Sequence, residues 1–271
     1  MGEVTDARVV RYPTGTSDLD HLAAEEPLEI RVDGDPLAVT MRTPGHDAEL
    51  AAGFCLTEGV IDDPDELERA EPCTEADYGN VVNVALAGAA HASWLEQRTK
   101  ARRDLYLSSS CGLCGSRTID RIARRIPPVA GGFVVSPGVL VTMPPAMAEA
   151  QGVFARTGGL HAAGLFHPDG RLRLVREDVG RHNAVDKLIG ALLLSGQLPA
   201  GPGVLLVSGR ASFELIQKAG RAGIGFLAAV GAPSSLAVEA AARFGMTLAG
   251  FLRGERFNVY AGAERVGDRP A

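Results

Sequence analysis

The sequence predicts an α/β protein, with a larger C-terminal α/β unit, a smaller α+β unit ahead of it, and a paired-cysteine loop between. Three observations carry this. From about residue 131, short apolar runs alternate with helical patterns, as in a sheet covered by helices. Ahead of them, a strand–turn–strand pattern leads into a single helix. Between the two lies a basic stretch centred on Cys111-Gly112-Leu113-Cys114. The implied divisions are 1–107, 108–130 and 131–271.

In the first unit, Leu28–Val32 and Leu37–Met41 read as strands flanking the turn Asp33-Gly34-Asp35-Pro36. Thr43-Pro44-Gly45-His46-Asp47 then opens a helix that runs to about Glu58 and ends at Gly59. Thr43 or His46-Asp47 offers capping groups, and Asp47 and Glu49 suit the positive end of the helix dipole. Cys55 shares helical spacing with Leu50, Ala51 and Phe54 and is expected to pack as a small hydrophobe. Asn80–Ala87 alternates like a further strand, whereas Cys73 sits after Pro72 in an acidic loop.

From Arg98 to Arg125 eight basic residues face only Asp104 and Asp120, a sharp contrast with a chain whose net charge is −6. After the cysteines, Ile119, Ile122, Ala123 and Ile126 recur at the spacing of a short amphipathic helix that stops at Pro127-Pro128. Beyond residue 131 the expected order is a helix at Met147–Gly152, an element at Leu160–Phe166 and a strand at Arg171–Val175. A helix at Asn183–Leu194 and a strand at Val204–Val207 follow, then a helix at Phe213–Ala219 and a strand at Phe226–Val230. A helix at Ser234–Phe244 and a strand at Thr247–Phe251 complete the series. Such short apolar strands argue for a parallel sheet buried on both faces.

Composition bounds the function. The chain has 271 residues, 46% hydrophobic and 22% charged, enough for a substantial core. Its acidic balance speaks against a nucleic-acid coat. No apolar run is long enough to span a membrane, and the start has neither the basic residues nor the apolar run of a signal peptide. A soluble cytoplasmic protein follows, with neither nucleic acid nor membrane as partner, in a compartment that disfavours a permanent disulfide.

Four constellations carry chemistry. Cys111 and Cys114 can form a disulfide, grip a metal or carry a sulfur atom. A four-thiolate zinc site would need Cys55 and Cys73 to converge on them, whereas structural zinc ligands come as two compact pairs, so no metal is expected. A following helix start and the charges of Arg102, Arg103 and Arg117 favour thiolate, and Gly112, Gly115 and the serines at 108–110 suggest an exposed, mobile loop.

Second, Ser208-Gly209-Arg210 and Gly231-Ala232-Pro233-Ser234 each leave a buried strand and enter a helix, the place where open α/β sheets bind anionic ligands. Neither is a dinucleotide or Walker fingerprint. Third, Arg176–Asn183 is a dense polar run. It reads either as a charge network holding the next helix or as a ligand loop in which Asp178, His182 and Lys187 position a polar group. Fourth, Thr157-Gly158-Gly159-Leu160-His161-Ala162-Ala163 is similar to the helix start of zinc deaminases. Ala163 stands where their glutamate is needed, and no Pro-Cys-x-x-Cys follows, so deamination is disfavoured.

Together with Arg42–Asp47 and Glu49, Cys111–Gly115, Glu177–Lys187, Val207–Arg210 and Phe251–Tyr260, these runs resemble the FdhD family of formate dehydrogenase accessory proteins. The resemblance implies a C-terminal cytidine-deaminase-like three-layer α/β/α domain without the deaminase metal. It also implies a sulfurtransferase-like carrier, in which Cys111 receives sulfur from a cysteine desulfurase as a persulfide and Cys114 is the second thiol. The sulfur is destined for the molybdenum cofactor, bis-molybdopterin guanine dinucleotide, which a guanine nucleotide can mimic, before that cofactor enters formate dehydrogenase. Phe251, Leu252, Arg253, Gly254, Glu255 and Arg256 match the family's cofactor-binding stretch. Ser208, Gly209, Arg210, Gly231, Ser234, His182 and Asp178 are the further candidate contacts. Family habit points to a homodimer. The competing readings are a cofactor chaperone without sulfur chemistry and a CxxC thiol oxidoreductase.

Overall fold

Leu28, Ile30 and Val32 alternate with Glu29 and Arg31, so the segment has one apolar face and must bury it. In a computed structural model of the chain, which describes residues 2–73, 80–92, 94 and 125–268, it does so as β3 (Glu26–Val32). Cys111, Cys114 and the helix expected to end at Ile126 lie outside the described residues, save Arg125 and Ile126. β3 pairs antiparallel with β4 (Asp35–Arg42) through a two-residue turn, in which Asp33 (φ 49°) and Gly34 (φ 84°) both take the positive φ that tight hairpins need. β6 (Val81–Leu86) adds to β3 in parallel and β5 (Leu67–Pro72) to β6 antiparallel, giving the order β4-β3-β6-β5. A separate ribbon, β1 (Val4–Arg11) with β2 (Thr16–Ala23), precedes them.

α1 (Asp47–Thr57) follows as expected, but its start is built differently. His46 occupies the capping position with φ 58° and caps nothing with its side chain. Asp47 instead holds the buried Arg42 in a two-pronged pair at 2.9 and 2.8 Å. The Thr43 hydroxyl accepts the Val179 amide at 3.2 Å. Cys55 is fully buried, as its spacing implied, and burial, reinforced by the nearby Asp186, pushes its thiol pKa well up.

The larger sheet has the order β12-β11-β10-β9-β7-β8. Its centre is the expected parallel set: β9 (Val204–Val207), β10 (Phe226–Ala229) and β11 (Thr247–Arg253). Its margins correct the all-parallel expectation. β7 (His161–Phe166) runs antiparallel to β9 and to β8 (Leu172–Asp178), and β12 (Arg256–Ala261) runs antiparallel to β11. Both marginal pairs are hairpins, whose loops are too short for a parallel crossover.

The central strands bury both faces. Val204, Leu206, Phe226 and Ala228 point to one layer with Phe133, Leu140, Met143 and Met147. Leu205, Val207, Leu227 and Ala229 point to the other, with Leu188, Ile189, Leu215 and Ala240. The first layer is α2 (Pro137–Ala150), and it begins ten residues before the helix expected at Met147. Pro144 and Pro145 mask its pattern in the sequence, while Pro137 at the first turn and Ser136, whose hydroxyl accepts the Val139 amide at 3.3 Å, start it well. A single turn, α3 (Phe154–Thr157), precedes β7. The opposite layer is α4 (Arg181–Leu194), α5 (Phe213–Arg221) and α6 (Ser235–Arg243).

α1 lies directly on α4, so one core runs from Leu28 and Ile30 through Leu50 to Leu188 and Leu205. The crossing is close because glycines meet: a methyl on Gly53 would overlap the Asp186 carbonyl, and one on Gly190 the Glu49 carbonyl. Gly53→Ala should therefore lower the unfolding free energy by about 3 kcal/mol in urea denaturation. Gly152→Ala, where the added methyl meets nothing within 4 Å, should change it by less than about 0.5 kcal/mol.

Candidate functional site

The site gathers where β9, β10 and β11 end together. Buried strands stop there because polar residues with freer backbones replace the apolar runs. Ser208 leaves β9, and its hydroxyl accepts the Ala162 amide at 2.9 Å and lies 3.4 Å from His161 Nδ1. Gly209 accepts the Gly231 amide at 2.9 Å, and a side chain at Gly231 would strike the Gly209 carbonyl, so only glycine fits that crossing. Gly231 in turn accepts the amide of Phe251 at 3.0 Å. Phe251 has φ 55° and is 43% exposed.

The stretch Phe251–Arg256 is the tip of the β11–β12 hairpin, turning at Gly254-Glu255. Arg253 folds back to donate to the Val230 carbonyl at 2.9 Å, while Gly254, Glu255 and Arg256 face solvent. Leu252 is fully buried among Phe226, Ala228 and Ala249, so within the cofactor-binding stretch it anchors the hairpin and presents no side chain to a ligand. Ser234 is exposed, and its hydroxyl accepts the Ala237 amide at 3.2 Å, capping α6. Arg210 is exposed beside Gly209.

The polar run ahead of α4 divides. Asp178 is wholly buried, and its carboxylate takes the Thr43 amide at 3.1 Å, the Gly180 amide at 2.8 Å, Asn183 Nδ2 at 3.0 Å and Lys187 Nζ at 2.8 Å. Lys187, 1% exposed, also donates to the Thr43 carbonyl at 2.8 Å. With every such contact internal, Asp178 and Lys187 hold the helix start, correcting the reading of both as ligand-positioning groups. His182 stays half-buried at the surface, 3.3 Å from the Ser212 hydroxyl and 3.1 Å from Glu214. Glu214 is held below the usual carboxylate range by the hydrogen bond from His182, against the effect of burial.

Two residues outside the candidate contacts complete the setting. His161, which belongs to the run that is similar to a deaminase helix start and that also carries the family resemblance, begins strand β7 and not a helix, a correction of that placement. Because β7 runs antiparallel to β9, its first residue lies beside the last turn out of β9. Burial and then the charges of Arg181 and His182 hold the His161 imidazole below its ordinary pKa, with Asp178 pulling the other way. Arg181 opens α4, whose start no side chain caps.

Around this site the fold defines a class: a three-layer α/β protein with polar, glycine-bearing loops gathered at the carboxyl ends of its central parallel strands, fused through packed helices to a smaller α+β unit. Residues 23–267 match the model of the FdhD/NarQ family, and the chain belongs to that family. It is 52% identical over 283 residues to the sulfur carrier protein FdhD of Streptomyces avermitilis, covering 100% of this chain and 99% of that one. It is 47% identical to the Mycobacterium tuberculosis protein of the same name, over 98% and 100% of the two chains. Its fold matches the crystal structure of a formate dehydrogenase accessory protein from Desulfotalea psychrophila with a TM-score of 0.74. The identity is 25%, with 97% and 98% of the two chains covered.

Removing one partner of the buried pair should be costly. Lys187→Met strands the Asp178 charge and should lower stability by about 3–5 kcal/mol. In the double variant with Asp178→Asn, chemical denaturation should show part of that loss recovered.

Proposed function

We propose that this chain is a sulfur carrier that loads sulfur on Cys111 and delivers it to the molybdenum cofactor of a formate dehydrogenase. The observation that carries the reading is the full-length match to proteins named sulfur carrier protein FdhD, in a chain that holds the pair Cys111 and Cys114. A cysteine desulfurase presents sulfur as a persulfide. The Cys111 thiolate attacks its outer sulfur, the donor's S–S bond breaks, and the donor cysteine leaves as thiolate. Cys111 then holds the outer sulfur. Attack by Cys114 on Cys111 Sγ releases it as sulfide and leaves a Cys111–Cys114 disulfide, which a cellular thiol reductant returns to two thiols.

The strand-end site supports the choice of recipient. Bis-molybdopterin guanine dinucleotide is the substrate here, cargo rather than a resident cofactor, and it combines diphosphates with planar guanines. Exposed Arg210, Arg256 and the Phe251 ring, on backbone bent by Gly209, Gly231 and Gly254, suit both parts. The proposed setting is the cytoplasm. Among the described residues no helix is long and apolar enough to cross a membrane. The working form we propose is a homodimer, to which the exposed Val10, Tyr12 and Leu19 of the β1–β2 ribbon offer apolar surface.

Incubation with a cysteine desulfurase and cysteine should add about 32 Da, one sulfur, to the peptide bearing Cys111. Cys111→Ala should abolish the adduct, and Cys114→Ala should retain it while failing to support formate dehydrogenase activity. No adduct on the unsubstituted chain would favour a cofactor chaperone. Turnover of disulfide substrates without any cofactor would favour a thiol oxidoreductase.

A further inference from the structure

Arg181 is out of keeping with its neighbours. Other buried or half-buried arginines are fully engaged: Arg42 with Asp47 and Glu26, Arg176 with Glu49, and Arg221 with the carbonyls of Leu56 and Ile61. Arg181 makes no hydrogen bond or ion pair among the described residues, and its Nε is buried without an acceptor. A buried donor without an acceptor carries a desolvation penalty of about 1–3 kcal/mol, which a bound acceptor would relieve.

The surroundings state what the acceptor is. A Cβ built on Gly209 would stand 3.5 Å from His161 Nδ1 and Cε1 and 3.7 Å from Arg181 Cδ, so the bare face of Gly209 lies between the imidazole and the Arg181 side chain. The Ser208 hydroxyl borders the same space through His161 Nδ1 at 3.4 Å. An imidazole, a hydroxyl and the stem of an arginine thus border the open face of Gly209, with a second guanidinium, Arg210, exposed on the loop beside it. The local charge is positive and under-compensated: Asp178 is spent on Lys187, and Glu214 on His182. Burial first, and then the charges of Arg181 and His182, hold the His161 imidazole below its ordinary pKa. A planar guanidinium, an imidazole and a hydroxyl over a glycine floor match the several oxygens of a phosphoryl group better than a planar carboxylate.

We propose that Arg181 and His161 form a clamp for a phosphoryl group over Gly209. This rests on the reading of the strand ends as the recipient's binding site and deepens it. The clamp assigns the diphosphate of the nucleotide to the β7–β9–α4 junction and leaves the β11–β12 hairpin tip for the rest of the cargo. Arg181 contacts the ligand directly, and His161 takes up a proton as the anion approaches.

Isothermal titration of the full chain with inorganic pyrophosphate, and separately with guanosine diphosphate, tests this. Arg181→Gln should weaken both by about tenfold or more. His161→Asn should weaken both less. Because the free chain leaves Arg181 Nε unpaired, Arg181→Gln should leave the thermal midpoint of the unliganded protein unchanged or higher. A lower midpoint with undiminished binding would make Arg181 a structural residue and overturn the clamp. In the unsubstituted chain, NMR of the His161 ring should show its titration midpoint moving up on addition of pyrophosphate, and an unmoved midpoint would overturn the pairing. Persulfide formation on Cys111 is scored separately in the unsubstituted protein. Arg181-dependent binding without persulfide keeps the clamp and sinks the carrier reading. Persulfide with binding indifferent to Arg181 does the reverse.

Discussion

The contact on which the rest of the structure depends is the crossing of α1 on α4. Gly53 and Gly190 bring the two backbones together, and the close approach fixes more than a helix pair. It sets Asp186 beside Thr57 and Lys218, so that one carboxylate, one hydroxyl and one ammonium from three helices satisfy each other at 2.7–3.0 Å. Burial alone would discharge Lys218, but Asp186 and Glu58 outweigh it and keep the ammonium charged. Beside it, toward the start of α4, the same approach sets Thr43 against Asp178 and Lys187. Polar groups that would be ruinous if unpaired are thus paired across the seam between the two units. The smaller unit thereby positions the first turn of α4, where His182 and Arg181 sit.

The sequence disclosed the parts of this fold in which burial is total. Val204–Val207 and Phe226–Ala229 are short runs with no polar face, and strands of this kind leave an unmistakable trace. It disclosed the β3–β4 hairpin through Asp33-Gly34, since few residues other than glycine and aspartate tolerate that turn. It concealed β1 and β2, whose side chains are mostly exposed and therefore carry no apolar rhythm. It concealed the first turns of α2 behind Pro144 and Pro145.

The site was legible in the same uneven way. Ser208, Gly209 and Gly231 are legible because each follows a strand end that apolarity marks, whereas Phe251, inside β11, is reached only through the family resemblance. His161 and Arg181 are not, because their relevance depends on strand direction and helix placement. Only an antiparallel β7 brings His161 to Ser208, and no local pattern specifies that direction. Asp178 was overread for a related reason: a dense polar run looks alike whether its charges face a ligand or one another, and only burial decides.

The burial of Cys55 sorts the thiols by chemical availability. A chain proposed to work through thiolates keeps this one sulfhydryl in a dry core, protonated and sealed beneath α4. It cannot compete for sulfur or scramble a disulfide while the fold is intact. Its first exposure to an alkylating reagent would mark the opening of the α1–α4 seam itself, making Cys55 a built-in clock for global unfolding that runs apart from sulfur traffic.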